Sequence, residues 1–117
     1  HGLVASPFKS AYVAAKHGVV GFTKVTALEN AKLGITANAI CPGYVKTPLV
    51  EAQIADQAKA RGIPEDRGME EVILAAQPNK KFVEYEHLAG MLLYLVSDMG
   101  ASATGASMVL DGGWTAA

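Results

Sequence analysis

The sequence predicts an α/β protein, with helices packed against a parallel sheet. Three observations carry this. A long helical run ends on Gly34 and passes at once into a short apolar run closed by Pro42-Gly43. A second helical run, 84–97, leads through a Gly-flanked turn into another short apolar run, 107–110. Half of the 117 residues are hydrophobic and 18% are charged, which excludes a disordered chain.

The elements follow in order. Segment 10–33 reads as one helix, with Ser10 at the N-cap and Pro7 just upstream. It holds no Pro. Gly18 and Gly21 inside it each cost about 1 kcal/mol relative to Ala. Their spacing of three predicts a neighbouring backbone pressed close. Gly34 is a good stop, because glycine takes the left-handed conformation without strain. Residues 35–41 are short, partly β-branched and bounded by turn residues, as a buried strand of a parallel sheet is.

Segment 44–82 differs in character. Leu49, Val50, Gln53, Ile54 and Gln57 recur at helical spacing over 49–61, and Gly62-Ile63-Pro64 breaks the run. A second short helix is expected over 65–77, stopped by Pro78. A polar, interrupted stretch between regular elements reads either as a lid over a site or as a plain surface insertion. The Glu84–Ser97 helix has Leu88, Met91, Leu92, Leu95 and Val96 on one face. Ser107 to Leu110 forms the last strand, and Asp111-Gly112-Gly113 a turn. Two strands are too few for a stable parallel sheet covered on both faces.

Composition narrows the function. Net charge is −1, so there is no basic footprint for nucleic acid. No apolar run approaches the ~18 residues that span a bilayer, so no membrane partner is expected. Residues 1–48 carry net +4 and residues 49–117 net −5. That asymmetry reads as two solvated faces, or as a first segment facing an anionic ligand. A lone cysteine, Cys41, forms no internal disulfide and fits a reducing, cytoplasmic setting. It reads as a small packed residue. His17 and His87 lack metal-ligand spacing, and no His-Glu-x-x-His or Cys-x-x-Cys occurs, so no catalytic metal is expected.

One pair carries chemistry. Tyr12 and Lys16 are four apart, so they share a helix face with Cβ atoms about 5–6 Å apart. An ammonium beside a phenol favours the phenolate, and such a phenol can act as general acid or base on an alcohol/carbonyl pair. Alone the spacing is a weak signal. Its bland reading is core packing plus a solvated cation.

Context adds weight. The pair stands in Ser10-Ala11-Tyr12-Val13-Ala14-Ala15-Lys16-His17-Gly18. Asn38-Ala39-Ile40-Cys41-Pro42-Gly43 follows, then Thr104-Gly105-Ala106 and Asp111-Gly112-Gly113-Trp114. This set, in this order, resembles the C-terminal half of a classical short-chain dehydrogenase/reductase. The resemblance covers essentially the whole chain, 1–117. It implies the C-terminal part of a Rossmann-like doubly wound parallel sheet with helices on both faces, and a substrate lid over 44–82. It implies Tyr12 as acid/base and Lys16 as its tuner and a ribose ligand. Pro42, Gly43, Val45 and Thr47 would hold the nicotinamide end of the cofactor.

Within the family, His1 to Lys9, Cys41 to Val50 and Gln77 to Phe82 resemble members that act on a small 3-hydroxy acid. That implies hydride transfer between NAD and 3-hydroxybutyrate/acetoacetate. His1, Lys9 and Gln53 would grip the carboxylate, and Tyr44 would wall the pocket. Lys9 and Gln53 also read as solvated positions, His1 as a frayed end and Thr47 as a helix cap. No Gly-x-Gly-x-x-Gly occurs to cradle a pyrophosphate, and no acidic residue selects the adenosine ribose, so NADP stays open beside NAD. The resemblance puts these, with a catalytic Ser, upstream of His1. It implies a chain inactive without an N-terminal half, and a homo-oligomer, a tetramer. The competing readings are a reductase of 3-oxoacyl thioesters and a non-catalytic assembly module.

Overall fold

A computed structural model describes all 117 residues. The order is α1 (Ser10–Asn30), β1 (Ala39–Pro42), α2 (Pro48–Arg61), α3 (Glu65–Gly68), α4 (Tyr85–Val96) and β2 (Ser107–Leu110). A π-helical turn, Met69–Ile73, follows α3. Strands β1 and β2 form a two-stranded sheet. They run parallel. The Ala39 N–H donates to the Ala106 carbonyl at 2.9 Å, and the Gly43 N–H donates to the Leu110 carbonyl at 2.9 Å. The expected α/β arrangement with a parallel sheet is what the chain adopts.

The residues group into two compact units. One comprises His1–Cys41 and Ala89–Val109, the other Pro42–Leu88 and Leu110–Ala117.

In the first unit, α1 runs unbroken and passes through a short 3₁₀ turn to Gly34, at φ 72°. Ala27 is its buried residue. Ser10 is not the cap. Lys9 holds that position, and its carbonyl accepts the Val13 N–H at 2.8 Å to close the first turn. Gly18 and Gly21 receive no neighbouring backbone. Both are exposed, and a Cβ at either would meet open space. The strand expected over 35–41 is shorter and shifted to 39–42. The reason lies in side chains that take the backbone's partners. Asn38 donates to the Ala103 carbonyl at 2.8 Å and accepts the Ala106 N–H, while Thr104 accepts the Ala37 N–H. Ladder pairing therefore starts only at Ala39. In α4 the expected apolar stripe splits. Leu88, Met91 and Leu95 are half-buried, whereas Leu92 and Val96 are exposed.

The second unit holds the insertion. Thr47 caps α2, its hydroxyl accepting the Val50 N–H at 3.3 Å, with Pro48 next. Glu51 lies in the first turn and Lys59 and Arg61 in the last, each sign facing the favourable end of the helix dipole. Gly62, at φ 63°, ends the helix by donating to the Ala58 and Lys59 carbonyls. Ile54, Ala58, Ile73, Leu74 and Val83 form the buried core here. The helix expected over 65–77 is a single turn, then the π turn. The Leu74 N–H reaches back five residues to the Met69 carbonyl at 2.8 Å, and beyond it Pro78 has no N–H to offer, so the Lys80 ammonium caps the Leu74 and Ala75 carbonyls instead, at 3.0 and 2.7 Å. Lys80 itself sits at φ 52°. The Glu84 N–H donates to His87 Nδ1 at 3.3 Å where α4 begins. No helix is long and apolar enough to cross a membrane.

Candidate active site

His1, Tyr12 and Lys16 meet at the start of α1. The Lys16 Nζ lies over the Tyr12 ring, 5.4 Å from its centroid. A cation on that face is attracted by the ring quadrupole. The sequence predicts a shared face, and the ammonium settles on the ring. The His1 ring meets Tyr12 edge-on, with centroids 5.5 Å apart and planes at 79°. Its Nε2 is hydrogen-bonded to Ser6 Oγ at 2.8 Å, a bond that fixes the ring. The segment before α1 can lie this close because Gly2 has no side chain. A Cβ there would come within 2.8 Å of the Val20 side chain and 3.2 Å of the Lys16 carbonyl. Tyr12 is 52% exposed, so its phenol is open to a ligand. Lys9 stands exposed one turn before it.

Pro42 ends β1, and Gly43, Tyr44, Val45 and Thr47 lie in the loop from it to α2, all in the second unit. Both backbone groups of Tyr44 are held. Its N–H donates to Gln77 Oε1 at 2.6 Å, and its carbonyl accepts the Val83 N–H at 2.8 Å. Val45 pairs with Val83 in a parallel bridge, and its carbonyl accepts the Thr47 N–H at 2.8 Å. The Tyr44 ring stacks on Trp114, with centroids 6.3 Å apart and planes at 8°. Such an offset stack is worth about 0.5–1.5 kcal/mol beyond the area it covers. Gln53 is exposed on α2.

Trp114 is carried by a turn that Asp111 organises. The Asp111 carboxylate accepts the Gly113 N–H at 3.1 Å, the Thr115 N–H at 3.0 Å and the Thr115 hydroxyl at 2.7 Å. Burial pushes this carboxyl upward, but the bonds from Thr115 and Gly113 outweigh it, and the group titrates below the ordinary 3.8.

Residue patterns alone missed three participants. Ser6, which holds His1, carries no sequence signal. Gln77 stands in the quoted Gln77 to Phe82 run, yet nothing marks it as buried. Trp114 is the one tryptophan and closes the Asp111-Gly112-Gly113-Trp114 motif, which was signal enough to suspect a role.

Comparison with known proteins shows what the chain is similar to. A family model described as enoyl-(acyl carrier protein) reductase matches residues 1–115. D-beta-hydroxybutyrate dehydrogenase of Rhizobium meliloti (strain 1021) is 61% identical over 116 residues, 99% of this chain and 45% of the relative. The protein of the same name from Cupriavidus necator is 53% identical over the same span. This chain thus spans about 45% of the length of these curated relatives. Among solved structures, a short chain dehydrogenase family protein from Francisella tularensis superposes with a TM-score of 0.88 at 32% identity. It covers 97% of this chain and 47% of that one. A 4-hydroxyisoleucine dehydrogenase complexed with NADH superposes with a TM-score of 0.81 at 34% identity, over 99% of this chain and 44% of that one. With a family model spanning nearly its whole length, and with the Tyr12–Lys16 pair on the helix that leads into a parallel strand, the chain belongs to the short-chain dehydrogenase/reductase family.

Proposed function

We propose that this chain supplies the acid/base and substrate-facing portion of an oxidoreductase that interconverts 3-hydroxybutyrate and acetoacetate. The observation that carries the reading is the His1–Tyr12–Lys16 cluster, in a chain 61% identical to a D-beta-hydroxybutyrate dehydrogenase. In the oxidising direction the Tyr12 hydroxyl oxygen takes the proton of the substrate alcohol. In the reducing direction it returns that proton to the carbonyl oxygen. Lys16 puts a positive charge over the ring, which stabilises negative charge developing on the phenol oxygen during transfer. The substrate carboxylate is a charged acceptor that suits Lys9, His1 and the Gln53 amide. Tyr44, with Trp114 stacked on it, supplies aromatic surface for the aliphatic end.

The residues present fit a nicotinamide cofactor. Thr47 commits a lone pair to the Val50 N–H, and its O–H remains a donor. Lys16 offers an exposed ammonium. Donors of this kind suit the hydroxyls and carboxamide of a nicotinamide riboside, and Pro42, Gly43 and Val45 supply close backbone. When bound, the cofactor supplies the hydride acceptor. NAD is the proposed form. The exposed Val19, Phe22 and Leu28 of α1 and Leu92, Leu93 and Val96 of α4 support a homo-oligomer, with a tetramer as its proposed state. Segment 44–82 is proposed as the substrate lid, and half-buried Cys41 suits a reducing compartment such as the cytoplasm.

The test is turnover by the full protein. D-3-hydroxybutyrate with NAD should give reduced nicotinamide, and NADP should serve more slowly. Tyr12→Phe should lower kcat by about 10²–10⁴-fold, the usual worth of a general acid/base. Faster turnover of a 3-oxoacyl thioester than of acetoacetate, with no loss in Lys9→Ala, would refute the substrate.

A further inference from the structure

We infer that Gln77 is a positioning residue, a buried clamp that fixes Tyr44 and thereby the substrate-facing loop after β1. The inference rests on the functional reading above for its kinetic consequence, and on geometry alone for the clamp.

Gln77 is fully buried, one of the two largest side chains so enclosed in this protein. A primary amide in such a place must satisfy both ends or cost stability. Both ends are satisfied, and both by backbone. Oε1 accepts the Tyr44 N–H at 2.6 Å, and Nε2 donates to the Lys81 carbonyl at 2.8 Å. The amide therefore does what a strand would do. It joins two backbone segments, 43–45 and 81–83, that also meet through the Val83 N–H on the Tyr44 carbonyl and the Val45–Val83 bridge. Gln77 extends that bridge by one rung on the side toward Gly43. The fit leaves no slack. A Cβ at Gly43 would collide with Gln77 Oε1 and reach 3.0 Å from Asp111 Cα.

The consequence falls on one residue. With its N–H and carbonyl both engaged, Tyr44 has a fixed backbone, and its ring is aimed at Trp114. Remove Gln77 and the carbonyl bond to Val83 alone holds it. The N–H then points into a site with no acceptor. Leucine would fill similar volume there and mate with neither the Tyr44 N–H nor the Lys81 carbonyl. Glutamate is more informative. Protonated, its carbonyl can accept from Tyr44 and its O–H can donate to Lys81, as the amide does. Ionised, it presents only acceptors to the Lys81 carbonyl. Burial favours the protonated form.

The experiment uses the full protein carrying Gln77→Leu or Gln77→Glu. Backbone hydrogen exchange of segment 42–47 and the KM and kcat for D-3-hydroxybutyrate are the readouts. In Gln77→Leu, exchange in 42–47 should quicken at least tenfold while α1 and α2 stay as in the parent. KM should rise about tenfold, with kcat within about threefold. Compared with the parent at the same pH, and with exchange read as protection factors, Gln77→Glu should match parent KM and protection at acidic pH and fall away from both as pH rises. If Gln77→Leu does not fold, the Gln77→Glu pH series stands in its place. Unchanged exchange in 42–47 overturns the clamp. So does equal loss across the whole second unit, which would make Gln77 a core residue only. Quickened exchange with unchanged KM overturns the positioning role. If the parent fails to oxidise D-3-hydroxybutyrate, the functional reading falls, and the exchange arm still decides the clamp.

Discussion

Two polar side chains with little surface organise this protein out of proportion to their size. Gln77 ties two backbone segments together, and Asp111 gathers two N–H groups and a hydroxyl beneath Trp114. Asp111 makes a pH prediction. Its folded-state pKa lies below the ordinary aspartate value of 3.8 because its ionised form holds the Thr115 and Gly113 bonds despite burial. A depressed carboxylate contributes stability above the unfolded value, and that contribution is lost as pH falls through the folded one. Asp111 should therefore support the fold undiminished at neutral pH and yield only below about pH 4. Asp111→Asn should lower stability at pH 7 and flatten the acid limb between the unfolded and folded values. Urea melts of parent and variant over pH 2–7 read this directly, and identical acid limbs would contradict it. Neither residue's role could be read from type. Glutamine and aspartate are mostly exposed in proteins, and only the fold reveals the exception.

At the scale of elements, local chemistry sets boundaries and tertiary partners move them. The α2 helix begins at a Thr-Pro pair and ends at Gly62, each a signal visible in the sequence. Thr47→Ala should cost about 1 kcal/mol through loss of the cap, and Thr47→Ser should recover most of it. Chemical denaturation measures both, and equal stability for Ala and parent would show that the 3.3 Å bond contributes nothing. The expected helix over 65–77 widens after one turn into the π turn Met69–Ile73, where the Leu74 N–H bonds to the Met69 carbonyl. Beyond that turn Pro78 has no N–H to continue a helix, and Lys80, at positive φ, caps the Leu74 and Ala75 carbonyls. The strand over 35–41 shortened because Asn38 and Thr104, distant in sequence, bonded the backbone first. Gly18 and Gly21, whose spacing predicts a close neighbouring backbone, meet open space in this chain. The pattern of two small residues three apart is the same whether a neighbour covers it or not.

The whole chain keeps a large surface. It exposes 7749 Å², against about 6,100 Å² for a folded monomer of 12.2 kDa. The excess is rich in carbon. Val19, Phe22 and Leu28 on α1, and Leu92, Leu93, Val96 and Met99 on and just after α4, are all more than half exposed. Patches of this kind mark interaction surfaces or aggregation liabilities. Produced alone, residues 1–117 should self-associate and bind an apolar dye. Sedimentation velocity should find little 12 kDa monomer at micromolar concentration. A monodisperse, dye-silent monomer would show that these side chains tolerate water. The Phe22→Lys and Leu93→Lys double variant should shift the distribution toward monomer if these faces drive association.

The sequence by itself determined the α/β class, the order of helices and strands, the Gly34 and Gly62 stops and the Tyr12–Lys16 pair. Each rests on a local rule, such as helical period, turn residues or a fourfold spacing. The tertiary structure alone decided that His1 lies edge-on to Tyr12, that Lys16 sits over the ring, and that Tyr44 stacks on Trp114, seventy residues away. It alone decided that Gln77 is buried and doubly bonded. These are pairings between distant segments. They depend on which donor meets which acceptor once the chain is compact, and one residue's neighbours along the chain do not contain that information.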